Sequence, residues 1–417
     1  MKIIYLHQYF NTPEMSGSTR TYEMVRRLVA AGHEVHIVTS WREQDGKKKE
    51  WFTTNEDGIV VHWYPVPYSN HMGYSRRIRA FIQFVLAASK KAASLKGDVV
   101  FACSAPLTIA IPGVIAARKN RIPMIFEVRD LWPELPIAMG ALRNPVSIFL
   151  ARALERWAYK SSAAVVALSP GMKDGVVKAG YPAERVAVIP NSSDNRQFAP
   201  NPEAGQAFRA ARPWLGSKPL LIYAGTFGPI NGVGYMVDLA EALLERNPDI
   251  RILLVGDGME RPKVIEKAKA RGVYEKNLFF ENQMPKKDVT ALFAAADISS
   301  SLFIDIPEMR PNSANKFFDA LASGTPVLIN YGGWQHDLVT SRECGLAMWK
   351  KPINEVADIV AEKITDAEWC RKTGEAARQL AETMFNRDLQ ARQLEKVIRT
   401  AVETPDLPVA PLAELNY

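Results

Sequence analysis

Cysteine is scarce: Cys103, Cys344 and Cys370 are the only three in 417 residues. They form no CxxC pair, no metal-site spacing and no disulfide framework, so a reducing cytoplasm is the expected compartment and thiol redox chemistry is not. No Asp-x-Asp pair occurs in the chain, so a divalent metal bridging a diphosphate through that device is not expected. His33 and His36 lie across a turn and a strand start rather than on one helical face, which suits structural roles better than zinc ligation. The longest uncharged stretch, Val99 to Ala117, is interrupted by Pro106, Pro112 and Gly113 and makes a poor membrane span. The opening MKIIYLHQYF lacks a basic head, a sustained apolar run and a small-residue cleavage site, so no signal peptide is read. No internal repeat is found at a period of roughly 20 to 50 residues.

What is present is apolar material for two cores of ordinary size, at 47% hydrophobic, 23% charged and 9% aromatic. That composition excludes disorder, collagen and small disulfide scaffolds. The net charge of +7 is a mild basic bias that would suit nucleic acid, anionic lipid or phosphorylated ligands and does not choose among them.

The first forty residues read as a strand (IIYLHQYF), a polar loop (NTPEMSGSTR), an amphipathic helix with Met24, Val25, Leu28 and Val29 inward, a stop at Gly32, and a second strand (EVHIVTS). Such a β-loop-α-β unit implies parallel strands. Further strands are expected at Ile59–Tyr64, Val99–Cys103, Met124–Val128, Ala164–Leu168 and Arg185–Ile189, with helices between most of them. The Pro- and Ala-rich stretch from Asn195 to Pro219 fits a linker holding a short helix. A second series follows, with strands at Leu220–Ala224, Ile250–Val255, Leu278–Glu281, Ile298–Leu302 and Pro326–Ile329, and helices such as Gly232–Glu245 and Ser313–Ala322. A charged amphipathic helix, Asp388–Glu403, and a tail close the chain. Alternation of this kind means doubly wound α/β domains, whose ligands sit at the carboxyl ends of the strands.

Several of those strand ends carry chemistry. MSGSTR, with Gly17 and Ser18 before a helix, offers free N–H groups and a positive dipole end to a phosphate or carboxylate; a plain helix start is the alternative. AGTFGPINGVG, with Gly225, Thr226, Gly228, Asn231 and Gly232, repeats that arrangement in the second series. LLVGDGMERP places Gly256, Asp257 and Gly258 directly after a buried strand, permitting close backbone approach of a ligand or simply a tight turn. FEVRDLWPE gathers Glu127, Arg129, Asp130 and Glu134 at one strand end, a charge density that suits a functional crevice or a structural ion-pair network. In EMRPNSANKFFDALASGTPVL, Arg310, Asn312, Ser313, Asn315 and Lys316 surround a helix start, so cations and backbone dipole converge. Asp319, one turn on, suits hydrogen bonds from vicinal hydroxyls. The run at positions 45 to 50, DGKKKE, reads as a solvated loop.

Between Tyr74 and Lys96 lie six basic residues, Arg76, Arg77, Arg79, Lys90, Lys91 and Lys96, and no acidic one. Ile78, Phe81, Ile82, Val85 and Leu86 form an apolar stripe at helical spacing. Such a helix suits an anionic lipid surface; a core helix with basic ends is the alternative.

Taken in order and spacing, GSTRTYEMVRRLVAAGHEVHIVT, VALSPGMKDGVVKAG, RVAVIPNSSD and ANKFFDALASGTPVL resemble the retaining GT-B nucleotide-sugar glycosyltransferases of family 4 over nearly the whole chain. FEVRDLWPE and the SPGM segment are especially similar to the branch that attaches amino sugars, such as N-acetylfucosamine, during bacterial surface polysaccharide assembly. The resemblance implies two Rossmann-like doubly wound domains facing a central cleft. It implies an acceptor-binding domain over residues 1–197, a nucleotide-sugar domain over 198–385, and a terminal segment, 386–417, crossing back to the first domain.

It further implies a donor, expected to be UDP-linked, and a polyprenyl-diphosphate-linked saccharide as acceptor, handled at the inner face of the cytoplasmic membrane by a peripheral, cytoplasmic protein. Neither a metal or other cofactor nor a nucleic-acid partner is expected. The family carries an Arg and a Lys-Gly for the diphosphate in the loop after the first strand of its second domain; here those places are Thr226 and Asn231-Gly232. The replacements expected are Lys316 and Arg310, the N–H groups of the Gly225 loop and of the helix near Asn315, and Arg20 from the other domain. Of the family's two Glu eight positions apart, Asp319 takes the second place, while the first falls on Pro311, with Glu308 as the nearest stand-in. The family's His-Asp corresponds to Arg129-Asp130, expected to place sugar or acceptor, with Glu134 a further acceptor-side candidate. Base contacts are expected from the Gly256 loop, Asp257 and the Glu281-Asn282-Gln283 segment. A GT-B epimerase and a non-catalytic scaffold are the competing readings.

Overall fold

Short runs such as KIIYL, VVFAC, MIFEV and AVVA are apolar on both faces, which is what a strand inside a parallel sheet covered on two sides requires. In the computed structural model, which describes residues 1–15, 17–42, 50–66, 72, 74–104 and 106–409, these runs form the middle of an eight-stranded sheet. Residues 43–49, which hold the whole lysine run read above as a solvated loop, lie outside the described residues, as does the side chain of Arg77. The chain divides into two units.

The first unit comprises Met1–Pro190, Pro311–Ser313 and the described residues from Arg387 on. Its strands are β1 (Lys2–Leu6), β2 (Glu34–Trp41), β3 (Phe52–Glu56), β4 (Ile59–Pro65), β5 (Val99–Cys103), β6 (Met124–Val128), β7 (Ala164–Ala167) and β8 (Val186–Val188). Their order is β3-β4-β2-β1-β5-β6-β7-β8. Every pairing is parallel except β3 with β4, a hairpin whose Asp57-Gly58 turn has both residues at positive φ. One face of the sheet is covered by the helices Tyr74–Ser94, Ala110–Asn120, Pro145–Lys160 and Pro170–Lys178, the other by Arg20–Ala30 and Arg387–Glu403. The Arg387–Glu403 helix buries Leu394, Val397 and Ile398 there, and His33 Nε2 lies 3.1 Å from Glu395 Oε1.

The apolar stripe read on the Tyr74–Ser94 helix divides in the structure. Ala80, Phe84, Val85, Ala88 and Ala92 are buried, whereas Ile78, Ile82 and Leu86 point to solvent. Its alanines let this helix lie close to its neighbour Ala110–Asn120, with Phe84 filling the core beside them.

The second unit comprises Asn191–Arg310 and Ala314–Asn386. The linker stretch holds the expected short helix, Pro202–Ala210. The strands are β9 (Leu220–Ala224), β10 (Arg251–Val255), β11 (Leu278–Glu281), β12 (Ile298–Ser301), β13 (Val327–Ile329) and β14 (Gly345–Ala347), ordered β11-β10-β9-β12-β13-β14 and all parallel. The helices expected at Gly232 and Ser313 begin slightly later, as Tyr235–Arg246 and Asn315–Ser323. In each unit the strand order reverses beside the first strand, between β1 and β5 and between β9 and β12. The crevice outside those carboxyl ends is where such a sheet binds ligands. No described helix is long and apolar enough to cross a membrane.

Candidate functional site

In the second unit, the loops after β9 and β10 are laced together: Gly225 N donates to Val255 O at 2.9 Å and Phe227 N to Asp257 O at 2.9 Å. Gly256 holds φ +144°, and a Cβ there would lie 1.9 Å from Gly225 O, so only glycine lets the two loops close. Tyr223 OH donates to Thr226 O at 2.7 Å and props the loop from below. Asn231 is used locally, since its Oδ1 accepts from Gly228 N at 3.2 Å within the turn Pro229–Asn231.

Lys316 reaches under this loop from the first turn of the helix Asn315–Ser323. Its Nζ is 3.4 Å from Tyr223 OH, 5.0 Å from the Tyr223 ring centre and 5.3 Å from that of Phe303. Among the described residues no carboxylate pairs with it, and burial pulls its pKa down to about 8. A desolvated ammonium with no carboxylate partner among the described residues, at the positive dipole end of a helix, favours an anion. One turn on, Asp319 Oδ1 accepts from Ser193 Oγ at 2.6 Å, leaving Oδ2 without a partner among the described residues.

Arg310 stands on a platform that the sequence reading missed. Its Cζ lies 5.0 Å from the Trp349 ring centre, its Nη2 4.0 Å from Asp305 Oδ1, and its Nε is buried without an acceptor. Trp349 is itself pinned by donation from Nε1 to Asp305 Oδ1 at 2.9 Å. Asn282 is exposed after β11, but Glu281 is committed to Arg212 by two hydrogen bonds of 2.6 and 2.8 Å, which removes it from the expected base contacts. Asn312 and Ser313 group with the first unit, whereas Arg310, Asn315, Lys316 and Asp319 group with the second.

At the carboxyl ends of β1, β5 and β6 in the first unit lies a buried polar network. Glu127, 1% exposed, accepts from Arg20 Nε at 3.2 Å and Nη2 at 3.0 Å, and from Cys103 Sγ at 2.9 Å. Burial alone would raise its pKa, but the Arg20 and Arg129 charges outweigh that and hold it below the ordinary value. Arg20 also donates to Pro190 O at 2.7 Å and Ile189 O at 3.0 Å. The expectation that Arg20 binds a diphosphate is therefore corrected: it is a buried strut with its donors spent on the fold.

Arg129 is held over the same crevice, Nη1 3.3 Å from His7 Nε2 and Nη2 3.3 Å from Ser18 Oγ. Burial and the Arg129 charge push the His7 pKa well down, so the ring is neutral, accepting at Nε2 and donating from Nδ1 to Thr21 Oγ1 across 2.9 Å. Asp130 has its pKa raised by burial, against the pull of Arg129, to about 6. Gly17, at φ +123°, sits against Asn11, whose Nδ2 donates to Ser18 O at 3.1 Å. Glu134 lies outside this network, exposed and paired with Arg152 at 3.1 Å. His7 and Gln8 were missed, although polar residues ending an apolar strand are the same signal as in FEVRD. Both amide atoms of Gln8 are buried without a hydrogen-bond partner among the described residues.

His36 Nδ1 lies 3.0 Å from His62 Nε2 on the far side of the sheet. Among the described residues, no group of three or more His, Cys, Asp or Glu side chains could hold a metal.

Two Rossmann-like units, each with its loops at a switch point, are the architecture of the GT-B class, and comparison with known proteins supplies the family. Residues 17–192 match the glycosyl transferase 4-like domain and residues 206–380 the glycosyl transferases group 1 family. A D-inositol 3-phosphate glycosyltransferase of Corynebacterium urealyticum is 26% identical over 241 residues; that match spans 55% of this chain and 55% of the relative. A GDP-mannose-dependent alpha-(1-6)-phosphatidylinositol monomannoside mannosyltransferase of Mycobacterium tuberculosis is 23% identical over 72% of this chain and 75% of its own length. An alpha-D-kanosaminyltransferase of Streptomyces kanamyceticus is 22% identical over 62% of this chain and 67% of its own length. Among solved structures, Anabaena HepE in complex with UDP-glucose superposes with a TM-score of 0.72 at 18% identity, covering 96% of this chain and 100% of that one. The chain belongs to the GT4-type glycosyltransferases and has the GT-B fold.

Proposed function

We propose that this protein transfers, with retention, an N-acetylated deoxyhexosamine from a UDP donor to a polyprenyl-diphosphate-linked saccharide during bacterial surface polysaccharide synthesis, at the inner face of the cytoplasmic membrane. The observation that carries the reading is Lys316: a desolvated ammonium without a carboxylate partner, at a helix start, at the switch point of the second unit. Breaking a glycosyl-diphosphate bond builds negative charge on the leaving group, and an ammonium already stripped of water and aimed at that place stabilises it without reorganisation. Arg310 adds to the same effect, and Asp319 Oδ2 is open to a sugar or ribose hydroxyl. Arg129 and Asp130 hold the acceptor in the first unit. The departing phosphate oxygen takes the proton of the attacking hydroxyl, so no separate protein base is required.

The kanosaminyltransferase relative supports an amino-sugar donor, the phosphatidylinositol mannoside relative supports a lipid-borne acceptor, and the UDP-glucose complex of HepE supports UDP. The test is thermal stabilisation by UDP, GDP, ADP, CDP and dTDP, followed by transfer from a donor panel to lipid-linked acceptors with and without a chelator. A UDP-selective shift and chelator-insensitive transfer are expected. Absence of any shift and of any transfer would leave a GT-B scaffold without donor chemistry.

A further inference from the structure

Of the ten large apolar side chains exposed among the described residues, seven lie on three helices of one layer of the first unit: Tyr74–Ser94, Ala110–Asn120 and Pro145–Lys160. Chance scatter would spread them over both units, and single exposed apolar residues would need no explanation. Here they are contiguous in type and place. Ile78, Ile82 and Leu86 recur every fourth residue and so line one stripe, with Leu86 69% exposed. On Pro145–Lys160, Val146, Phe149 and Leu150 are 66%, 70% and 59% exposed. Arg118 of the middle helix stacks 5.8 Å from the Trp157 ring, tying the second and third helices together. Along this helix Ile148, Phe149, Trp157, Arg152, Arg156 and Lys160 line an open groove of about 690 Å³.

The charge carried by these three helices is almost all of one sign, with Arg152 alone paired to an outside carboxylate, Glu134, among the described residues. The three helices contain ten basic residues and a single acidic one, Glu155, which is buried and takes a hydrogen bond from Tyr159. Arg76, Arg79, Lys90, Arg118, Arg156 and Lys160 are exposed. A protein partner would need a matching acidic and apolar surface, whereas anionic lipid offers phosphate at the level of the cations and hydrocarbon just beneath.

We propose that the outer surface of these three helices docks on an anionic bilayer, with Phe149 and Leu150 entering the interface and the surrounding arginines and lysines meeting the headgroups. The choice of lipid over protein rests on this charge pattern and, in part, on the membrane-borne acceptor proposed above. The Pro145–Lys160 helix is the principal anchor, and the Tyr74–Ser94 helix the second.

Cosedimentation of the full chain tests this, using phosphatidylcholine vesicles with and without phosphatidylglycerol, for wild type, Phe149→Glu/Leu150→Glu and Arg76→Glu/Arg79→Glu. A control, Lys263→Glu/Arg371→Glu, makes the same charge change on the second unit. Wild type and control are expected to bind only vesicles containing phosphatidylglycerol, and added salt should weaken that binding. Each cation reversed should cost roughly fivefold in partitioning or more, and the Phe149/Leu150 variant at least tenfold, with unchanged circular dichroism and melting. Equal binding by wild type and the Phe149/Leu150 variant would overturn the proposal. So would a lipid-free wild-type dimer that this variant splits, because the face would then join two copies. Sedimentation needs no turnover: a wild type that binds vesicles yet transfers nothing keeps the docking face and loses the transferase reading, and one that transfers without binding does the reverse.

Discussion

Replacing Lys316 by Met keeps the length and apolar contact of the stem while deleting the charge, and the two readings of that lysine then part. Burial lowers its pKa from 10.5 to about 8. At about 1.36 kcal/mol per unit, holding the ammonium in the folded protein costs at most about 3 kcal/mol, and about 1 to 3 once residual solvent at this half-buried site is allowed for. The sign follows from proton counting. Between pH 8 and 10.5 the unfolded chain keeps the proton that the folded chain has released, so wild-type stability rises with pH across that window, while below pH 8 the penalty is constant. Lys316→Met should therefore be more stable than wild type at pH 7 without nucleotide, melting about 2 to 4 °C higher per kcal/mol, and should lose the rise above pH 8. UDP at a hundred times its Kd adds about 2.7 kcal/mol to wild type. The variant forfeits a charged hydrogen bond of about 1.5–3 kcal/mol, one to two orders of magnitude in Kd, so its stabilisation at the same UDP concentration falls to about 0.4–1.4 kcal/mol. Scanning fluorimetry over pH with and without UDP reads both effects. A variant that melts lower than wild type without ligand, or keeps its UDP shift, refutes the argument.

Arg20→Met leaves the Glu127 carboxylate buried without its main partner, so a loss of about 3–5 kcal/mol is expected in denaturant titration, with UDP binding intact in the folded protein. Lost UDP binding at unchanged stability would return Arg20 to the ligand. Asp130 should give kcat/KM an acid limb near pH 6, its charged form prevailing only above that value. Asp130→Asn should lower kcat/KM at least tenfold and flatten the limb, and a profile identical to wild type counts against any role for Asp130 with the acceptor. Gly256→Ala, forced against Gly225 O, should destabilise the second unit by about 3 kcal/mol or more in denaturant unfolding, and a fully stable variant would mean that the two loops separate freely. Gln8→Leu removes a buried amide without partners and should raise the melting temperature by the equivalent of about 1 kcal/mol or more; a drop would show that the amide is satisfied.

Most of the sheet was legible because a parallel strand buried on both faces is a short apolar run between turn residues, and VVFAC, MIFEV and LLIYA admit no other reading. The strand Phe52–Glu56 was missed because FTTNE is a polar edge strand, although the Asp57-Gly58 turn beside it is a hairpin signal. β14 was missed because three residues beginning with glycine carry no period. On the Tyr74–Ser94 helix both faces are apolar, one built of alanines, Val85 and Phe84, the other of Ile78, Ile82 and Leu86. Periodicity alone left a lipid-facing stripe and a core helix both open, because which apolar face turns inward is set by the fit against the neighbouring helix.

The site divides along the same line between local and distant information. Lys316, Asp319, Gly225 and Gly256 could be placed because each sits at a fixed step from a strand end or helix start. What those residues meet could not be read, since Arg20 finds Glu127 across 107 positions of sequence and Arg310 finds Trp349 through the packing of a separate loop. A guanidinium at a helix start looks the same in sequence whether it is spent or free. Its partner decides: Arg20, tied to a carboxylate and two carbonyls, has few donors left to give, while Lys316, bordered by two aromatic rings and no carboxylate, still needs an anion. The charge without a buried counter-charge is therefore the one to mutate first.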